Sequence, residues 1–381
     1  METKSLRVAL ILATAVLGIL SRNSSAQDFQ LMTHSRLVLG TESNLTASVR
    51  AGDLDSDGDD DIVVANGRHW PQQNYVFLNM GRARFNVMRP LGLDRSTSYA
   101  CELGDLDGDG DLDIVTGNDN APCEIWLNDG TAHFVQKGIL QEVSSIRSLT
   151  VADIDGDKDL DILATSRGAA NRIYLNAGTG KFSMGPTFGQ ERDSTIDVAV
   201  ADLDRDGKAD LVLANRDGQA NQILFGDERM TFRRTQLIGD KRTDTRAIVI
   251  ADIDGDSIED LVFGNIGAAN EVYLGNGQGS FSEPVKLGAN SRRTYCVAAA
   301  DLDSDGDMDL VFGNVGARNE FVLNQGNGKF DTVEFGLDGT ATYGLCVADL
   351  NGDGLPDVAT ANSDAENRLY IGRMPRKKSP N

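Results

Sequence analysis

The chain of 381 residues carries 58 acidic and 36 basic side chains, a formal charge of −22, with four cysteines and three histidines. An acidic total of that size argues against nucleic acid as a partner, and none is expected. Of the 58 acids, 33 lie in seven short Asp-rich segments, however, and the remaining chain beyond residue 26 is net basic, so smaller anionic ligands stay open.

Taken in chain order, Lys4 and Arg7 precede the uncharged run Val8–Leu20, followed by Ser24-Ser25-Ala26. This is the layout of a secretory signal peptide, residues 1–26, cleaved after Ala26. The thirteen-residue run is too short for the ~20 residues of a membrane span. An exported protein without a membrane span is expected, extracellular or periplasmic. Cys101, Cys123, Cys296 and Cys346 suit an oxidising compartment and allow three disulfide pairings; small buried thiols are the other reading.

From residue 27 to 373 the chain repeats. Seven Asp-rich segments begin at Asp53, Asp105, Asp153, Asp202, Asp252, Asp301 and Asp349, spaced by 52, 48, 49, 50, 49 and 48 residues. A fixed period over the whole chain decides architecture before any local pattern does. Each segment is preceded by a short apolar strand such as "VAVADLD" and followed by another such as "DLVLAN". A Gly/Asn loop, a third strand ("NRIYLN", "NEVYLG") and a turn ending in Phe complete the unit. Four strands per unit, with no helical period, predict an all-β seven-bladed β-propeller of four-stranded antiparallel blades.

The seventh unit stops before its fourth strand, whereas "DFQLM" at 28–32 resembles "RFNVM" at the end of unit one. The N-terminal strand is therefore expected to complete the last blade and close the ring, which removes an exposed sheet edge. Residues 374–381 read as a basic, disordered tail.

Each Asp-rich segment follows D-x-D/N-x-D-G-x-x-D closely enough to align, nine positions from first to last Asp. Alternate carboxylates on a tight turn can converge on a hard cation, which takes six to eight oxygens. Glycine at position 6 permits the positive φ of a sharp turn. An EF-hand would need Glu at position 12 and flanking helices. Here position 12 of unit one is Val64 and the flanks are strands.

With these motifs over nearly the whole mature length, the chain resembles the FG-GAP/VCBS repeats that build integrin-α-like calcium-binding propellers. The resemblance implies up to seven Ca²⁺ ions, mainly structural, one in each hairpin between first and second strands. The implied ligands are Asp53, Asp55, Asp57 and Asp61; Asp105, Asp107, Asp109 and Asp113; Asp153, Asp155, Asp157 and Asp161; and Asp202, Asp204, Asp206 and Asp210. In the later units they are Asp252, Asp254, Asp256 and Asp260; Asp301, Asp303, Asp305 and Asp309; and Asp349, Asn351, Asp353 and Asp357. Lys158 and Ser257 replace glycine at position 6, and Asn351 removes a charge while keeping an oxygen, so units three, five and seven are expected to bind more weakly.

The resemblance places the calcium hairpins on one face and the functional mouth on the other. Six residues before each first aspartate stand Ala47, Tyr99, Arg147, Ile196, Arg246, Tyr295 and Tyr343, above an apolar ladder that includes Cys101, Leu149, Ile248 and Val297. The longer loop "NGRHWPQQN" adds Arg68, His69 and Trp70. Arg pairs with carboxylates and aromatic rings stack on sugars, so these residues are the ligand-binding candidates. The expected function is a monomeric binding module for a glycan or an extracellular protein. The alternative is a polysaccharide lyase or other carbohydrate-active enzyme, with His69, Tyr99 and Arg246 as its candidate catalytic residues.

Overall fold

The computed structural model describes residues 29–240, 242–288 and 292–375. The expected signal peptide, residues 1–26, and residues 376–381 of the expected tail lie outside them. Among the described residues all regular structure is strand. Its unit is clearest where the chain is most regular: strands Thr195–Ala201, Asp210–Asn215, Asn221–Phe225 and Arg234–Ile238 form a four-stranded antiparallel meander. Two further four-stranded sheets follow. Elsewhere single long strands, including Val38–Gly52 and Asp357–Arg373, run through successive positions and merge neighbouring sheets into larger ones.

Seven hairpins share one register. The residue before the first aspartate of each segment pairs with its last aspartate, as in Gly104 with Asp113 and Ala201 with Asp210. Second strands such as Asp61–Asn66, Asp113–Asn118 and Asp210–Asn215 are buried along their length. That explains their near-continuous apolar sequence, because both faces pack on neighbouring sheets. The cores lie between sheets: Leu54, Val63, Val76 and Leu78 of unit one pack with Cys101, Ile114 and Trp126 of unit two. Each aliphatic side chain so buried contributes ~1.5–3 kcal/mol. Successive first strands touch one another, and Thr342–Ala348 in turn touches Val38–Gly52. Repeated four-stranded antiparallel sheets packed in this manner are a β-propeller.

The N-terminal strand Gln30–Met32 pairs with Ile371–Arg373, Gln30 opposite Arg373. Phe29 is buried beside it, its ring edge-on to Phe321 at 5.5 Å. Val38 and Leu39 then pair with Arg368 and Asn367 of the same long strand.

All four cysteines are free thiols. Burial pushes the thiols of Cys101, Cys296 and Cys346 up to about 12 and that of Cys123 to about 11, so they are unreactive at neutral pH.

Candidate functional site

Each aspartate loop joins a first strand to a second strand in the same register, so the seven loops share one end of the first strands. The first aspartate accepts backbone N–H groups from later loop positions: Asp53 from Asp57 at 3.2 Å and Gly58 at 3.0 Å, Asp252 from Gly255 and Ser257 at 2.8 Å each. Position 5 accepts from position 7, as Asp109 does from Asp111 at 3.0 Å. The last aspartate is wholly buried and ties three chain segments together. Asp113 accepts from Leu106 N and from Asn128 N, just beyond the strand that ends at Leu127, both at 2.8 Å. Burial pushes the carboxyls of Asp61 and Asp309 up to about 7, and those of Asp113, Asp161, Asp210, Asp260 and Asp357 to about 6.

These loops fit a hard cation. In Asp53/Asp55/Asp57, Asp105/Asp107/Asp113, Asp153/Asp155/Asp161, Asp202/Asp204/Asp206 and Asp252/Asp254/Asp260, one oxygen from each carboxylate lies within 4.8 Å of the others. At position 3, Oδ1 of Asp55, Asp107, Asp204 and Asp303 is buried without a hydrogen-bond partner, and Asp303 is only 9% exposed. Unpaired buried carboxylate oxygens are costly, and a bound ion is the partner that all-oxygen surroundings suit.

Two loops differ in detail. Asp204 is also ion-paired with Arg234. Asn351 turns its Nδ2 toward Asp357, donating at 2.9 and 3.2 Å, so in unit seven an amide donor faces the carboxylate where an oxygen ligand was expected.

The left-handed backbone expected at position 6 occurs there in every loop, including Lys158 at φ 79° and Ser257 at φ 65°. It also occurs at position 4, where Ser56, Arg205 and Ser304 adopt φ near 60°. Only the scattered glycines at position 4 (Gly108, Gly156, Gly255, Gly352) signalled this in the sequence.

At the other end of the first strands, six residues and ~20 Å away at 3.3 Å per residue, every hairpin carries a β-bulge. The residues skipped by the register shift are Ala47, Tyr99, Arg147, Ile196, Arg246, Tyr295 and Tyr343. A bulge re-aims the side chain it carries. Of the expected ladder, Leu149, Ile248 and Val297 line the cavity, whereas Cys101 is buried in the core between the first two sheets.

Six of these seven residues, all but Ile196, line a cavity of about 360 Å³. Arg147 stacks over Tyr99 at 4.5 Å and pairs with Asp119 at 3.2 Å. The Tyr295 and Tyr343 rings meet edge-on at 4.7 Å, and Arg68 lies over Tyr343 at 3.9 Å. The loop bearing Arg68 is pinned by Gly67 N and Arg68 N donating to Leu45 O at 3.0 and 3.1 Å. Gly67 is required there: its φ is 99°, and a Cβ would meet Ser96 O at 2.3 Å.

Arg68 also donates to Ser363 Oγ and to His69 Nε2 at 3.0 Å, while His69 Nδ1 is 3.0 Å from the Tyr99 hydroxyl. Burial, with Arg68 and Arg147 nearby, holds the His69 imidazole below its usual value, so it is neutral at pH 7. A guanidinium can only donate, so Nε2 accepts and the ring proton sits on Nδ1. Trp70, by contrast, is 72% exposed on the same loop and takes no part in this belt.

Deeper in the cavity lie charges that the sequence reading missed: Arg50, bonded to Glu102 through Nε at 2.8 Å, and Asp197. Their signal was a charged residue inside an otherwise apolar first strand, as in "ASVRAG", "YACELG" and "TIDVAVA".

Comparison with known proteins bears on the fold. Two solved structures of BBS1N in complex with ARL6DN, one soaked with mercury and one with lead, match with a TM-score of 0.61 and 12% identity. Each match covers 91% of this chain and 97% or 98% of the other. At that identity the likeness speaks for the fold alone. None of the curated proteins compared matches the chain. The FG-GAP-like repeat model matches six overlapping stretches, 53–116, 105–164, 156–213, 202–263, 252–312 and 301–360, each running from the Asp-rich loop of one hairpin into the second strand of the next. The chain belongs to the FG-GAP-like repeat family.

Proposed function

We propose that this protein is an exported, calcium-stabilised propeller of seven blades, its ring closed by the N-terminal strand, that works as a binding module. Its ligand, a glycan or an extracellular protein, docks at the cavity mouth on the face away from the aspartate hairpins. The observation that carries the reading is the convergence of Arg68, His69, Tyr99, Arg147, Arg246, Tyr295 and Tyr343 around one cavity. Cations stacked on aromatic faces present both charge and a flat apolar surface, as sugar acids require. Closure is supported by the pairing of Gln30–Met32 with Ile371–Arg373. Calcium is supported by the unpartnered position-3 carboxylates; when bound, the ion neutralises the converging acids. A protein ligand has the support that a solved structure of similar fold is of a protein in a protein complex.

One observation favours a second reading, a polysaccharide lyase: the contact between Tyr99 and His69. Two features oppose it. Burial holds the Tyr99 hydroxyl above its ordinary value, which disfavours a tyrosinate base. Nε2 of His69 is occupied by Arg68, which leaves the imidazole without a free lone pair.

The test is calorimetric titration of the calcium-loaded protein with uronate-containing and neutral polysaccharides, alongside ultraviolet absorbance for unsaturated products. Binding of an acidic glycan that falls about tenfold or more in Tyr343→Ala and Arg147→Gln, with no absorbance change, supports the module. Absorbance growth abolished by Tyr99→Phe supports the lyase. Affinity indifferent to both mouth variants overturns the placement of the site.

A further inference from the structure

The cations around the cavity are not equivalent. Arg50 is bonded to Glu102, Arg147 to Asp119 and Ile146 O, and Arg68 to Ser363 and His69. Arg293, at the rim, donates to the Tyr295 hydroxyl at 3.1 Å. Arg246 differs: among the described residues its guanidinium has no hydrogen bond and no ion pair, only the face of Tyr295 at 5.6 Å. Arg216 adds a second positive charge nearby, its Nε buried without a partner.

The nearest acid to Arg246 is held apart from it. Asp197, on the adjacent first strand, accepts from its neighbour Val198 N at 3.1 Å and from Ile248 N at 3.2 Å. Ile248 lies two residues beyond Arg246 on the same strand, so the carboxylate is tied to the strand that bears the cation without closing on the cation. Both side chains line the cavity. Enclosing opposite charges that do not pair is unfavourable unless a third group bridges them. The space of about 360 Å³ is at the small end for ligand pockets, room for a sugar ring or chain end rather than the middle of a polymer.

We propose that this cavity takes a hydroxylated carboxylate, a uronate-type sugar acid. Its carboxylate sits on the Arg246 guanidinium, a hydroxyl donates to Asp197, and the ring lies against Tyr295 and Tyr343. The assignment rests on the binding-module reading and names its ligand class. Arg246 confers the preference for acid, Asp197 the preference for hydroxyl, and Arg147 and Arg68 hold the aromatic walls.

The test is titration of the full-length, calcium-loaded protein with D-glucuronate, D-glucose, acetate and a tetrasaccharide ending in glucuronate. Glucuronate is expected to bind about tenfold or more tighter than glucose, which lacks the charge, or acetate, which lacks the hydroxyls. Arg246→Gln abolishes that preference over glucose while leaving the binding of glucose itself unchanged; a merely structural arginine would weaken both. Asp197→Asn abolishes the preference over acetate. A tetrasaccharide that binds more tightly than free glucuronate identifies a chain end as the ligand, and a weaker one identifies the free acid; both support the assignment. Undiminished glucuronate binding in Arg246→Gln, with loss in Tyr343→Ala, overturns it and leaves the module reading standing. Binding unchanged in every mouth variant overturns both, and absence of binding by all carboxylate probes overturns the sugar-acid assignment.

Discussion

At the scale of single residues, the hairpins trade backbone strain for convergence. Two left-handed residues per loop turn successive N–H groups onto the first aspartate. A non-glycine residue in that conformation costs roughly 1–2 kcal/mol. Lys158 bears this cost at position 6 while contributing only its backbone, Lys158 N to Asp153 Oδ2 at 3.0 Å. Lys158→Gly keeps that bond and relieves the strain, so it should stabilise the protein by about 1 kcal/mol. A raised urea midpoint at constant slope would show it; a lowered one would place the lysine side chain among the stabilising contacts.

Among elements, sheets are stitched to their neighbours by side-chain amides. Asn128 Nδ2 donates to Leu54 O of the preceding hairpin at 2.8 Å, Asn176 to Leu106 O at 2.8 Å and Asn324 to Ile253 O at 2.6 Å. On the mouth side, Asn171 reaches Thr195 Oγ1 of the next unit and Asn367 reaches Thr46 Oγ1, both at 3.0 Å. Asn176→Ala removes the bonds to Leu106 O and Leu160 O, though Leu106 O keeps the N–H of Gly180, at a cost of about 1–3 kcal/mol. Phe29→Ala, at the strand that covers the Ile371–Arg373 edge, should cost more, about 3–5 kcal/mol. Urea melts of the two variants check the order, and a Phe29→Ala loss no larger than that of Asn176→Ala would show the N-terminal strand to be dispensable.

For the whole molecule, seven buried aspartates couple proton binding to stability, and under the proposed calcium reading they couple metal to both. Their folded values of about 6 to 7 exceed the ordinary carboxylate value. In metal-free protein the folded state therefore binds protons more tightly than the unfolded one. That contribution is full below about pH 4 and is lost as pH rises through 6 to 7. A bound cation replaces the protons and favours the ionised form. Chelation should thus lower Tm, and the gain on adding Ca²⁺ should be larger at pH 7.5 than at pH 5.5. Thermal melts in EDTA and in Ca²⁺ at both values check this; a Tm indifferent to metal at pH 7.5 would remove calcium from the account.

The sequence by itself determined what repeats. The ~49-residue period fixed the seven hairpins, the aspartate spacing fixed which carboxylates converge, and the truncated last unit anticipated the pairing of Gln30–Met32 with Ile371–Arg373. These are local or periodic properties, repeated often enough to be read in one dimension. What the tertiary structure decided is which side chains face the cavity. A bulge at one residue per first strand reverses the alternation beyond it, sending Cys101 into the core and leaving Arg50, Glu102 and Asp197 in the cavity wall. The mark of the bulge is a Ser or Thr just before it (Thr46, Ser98, Thr195, Thr245, Thr294, Thr342), five of which donate to an Asn of the second strand, a pairing of residues twenty apart that becomes legible only once the strands are aligned. The pairing of Arg147 with Asp119, and the isolation of Arg246, likewise follow only from how neighbouring sheets meet.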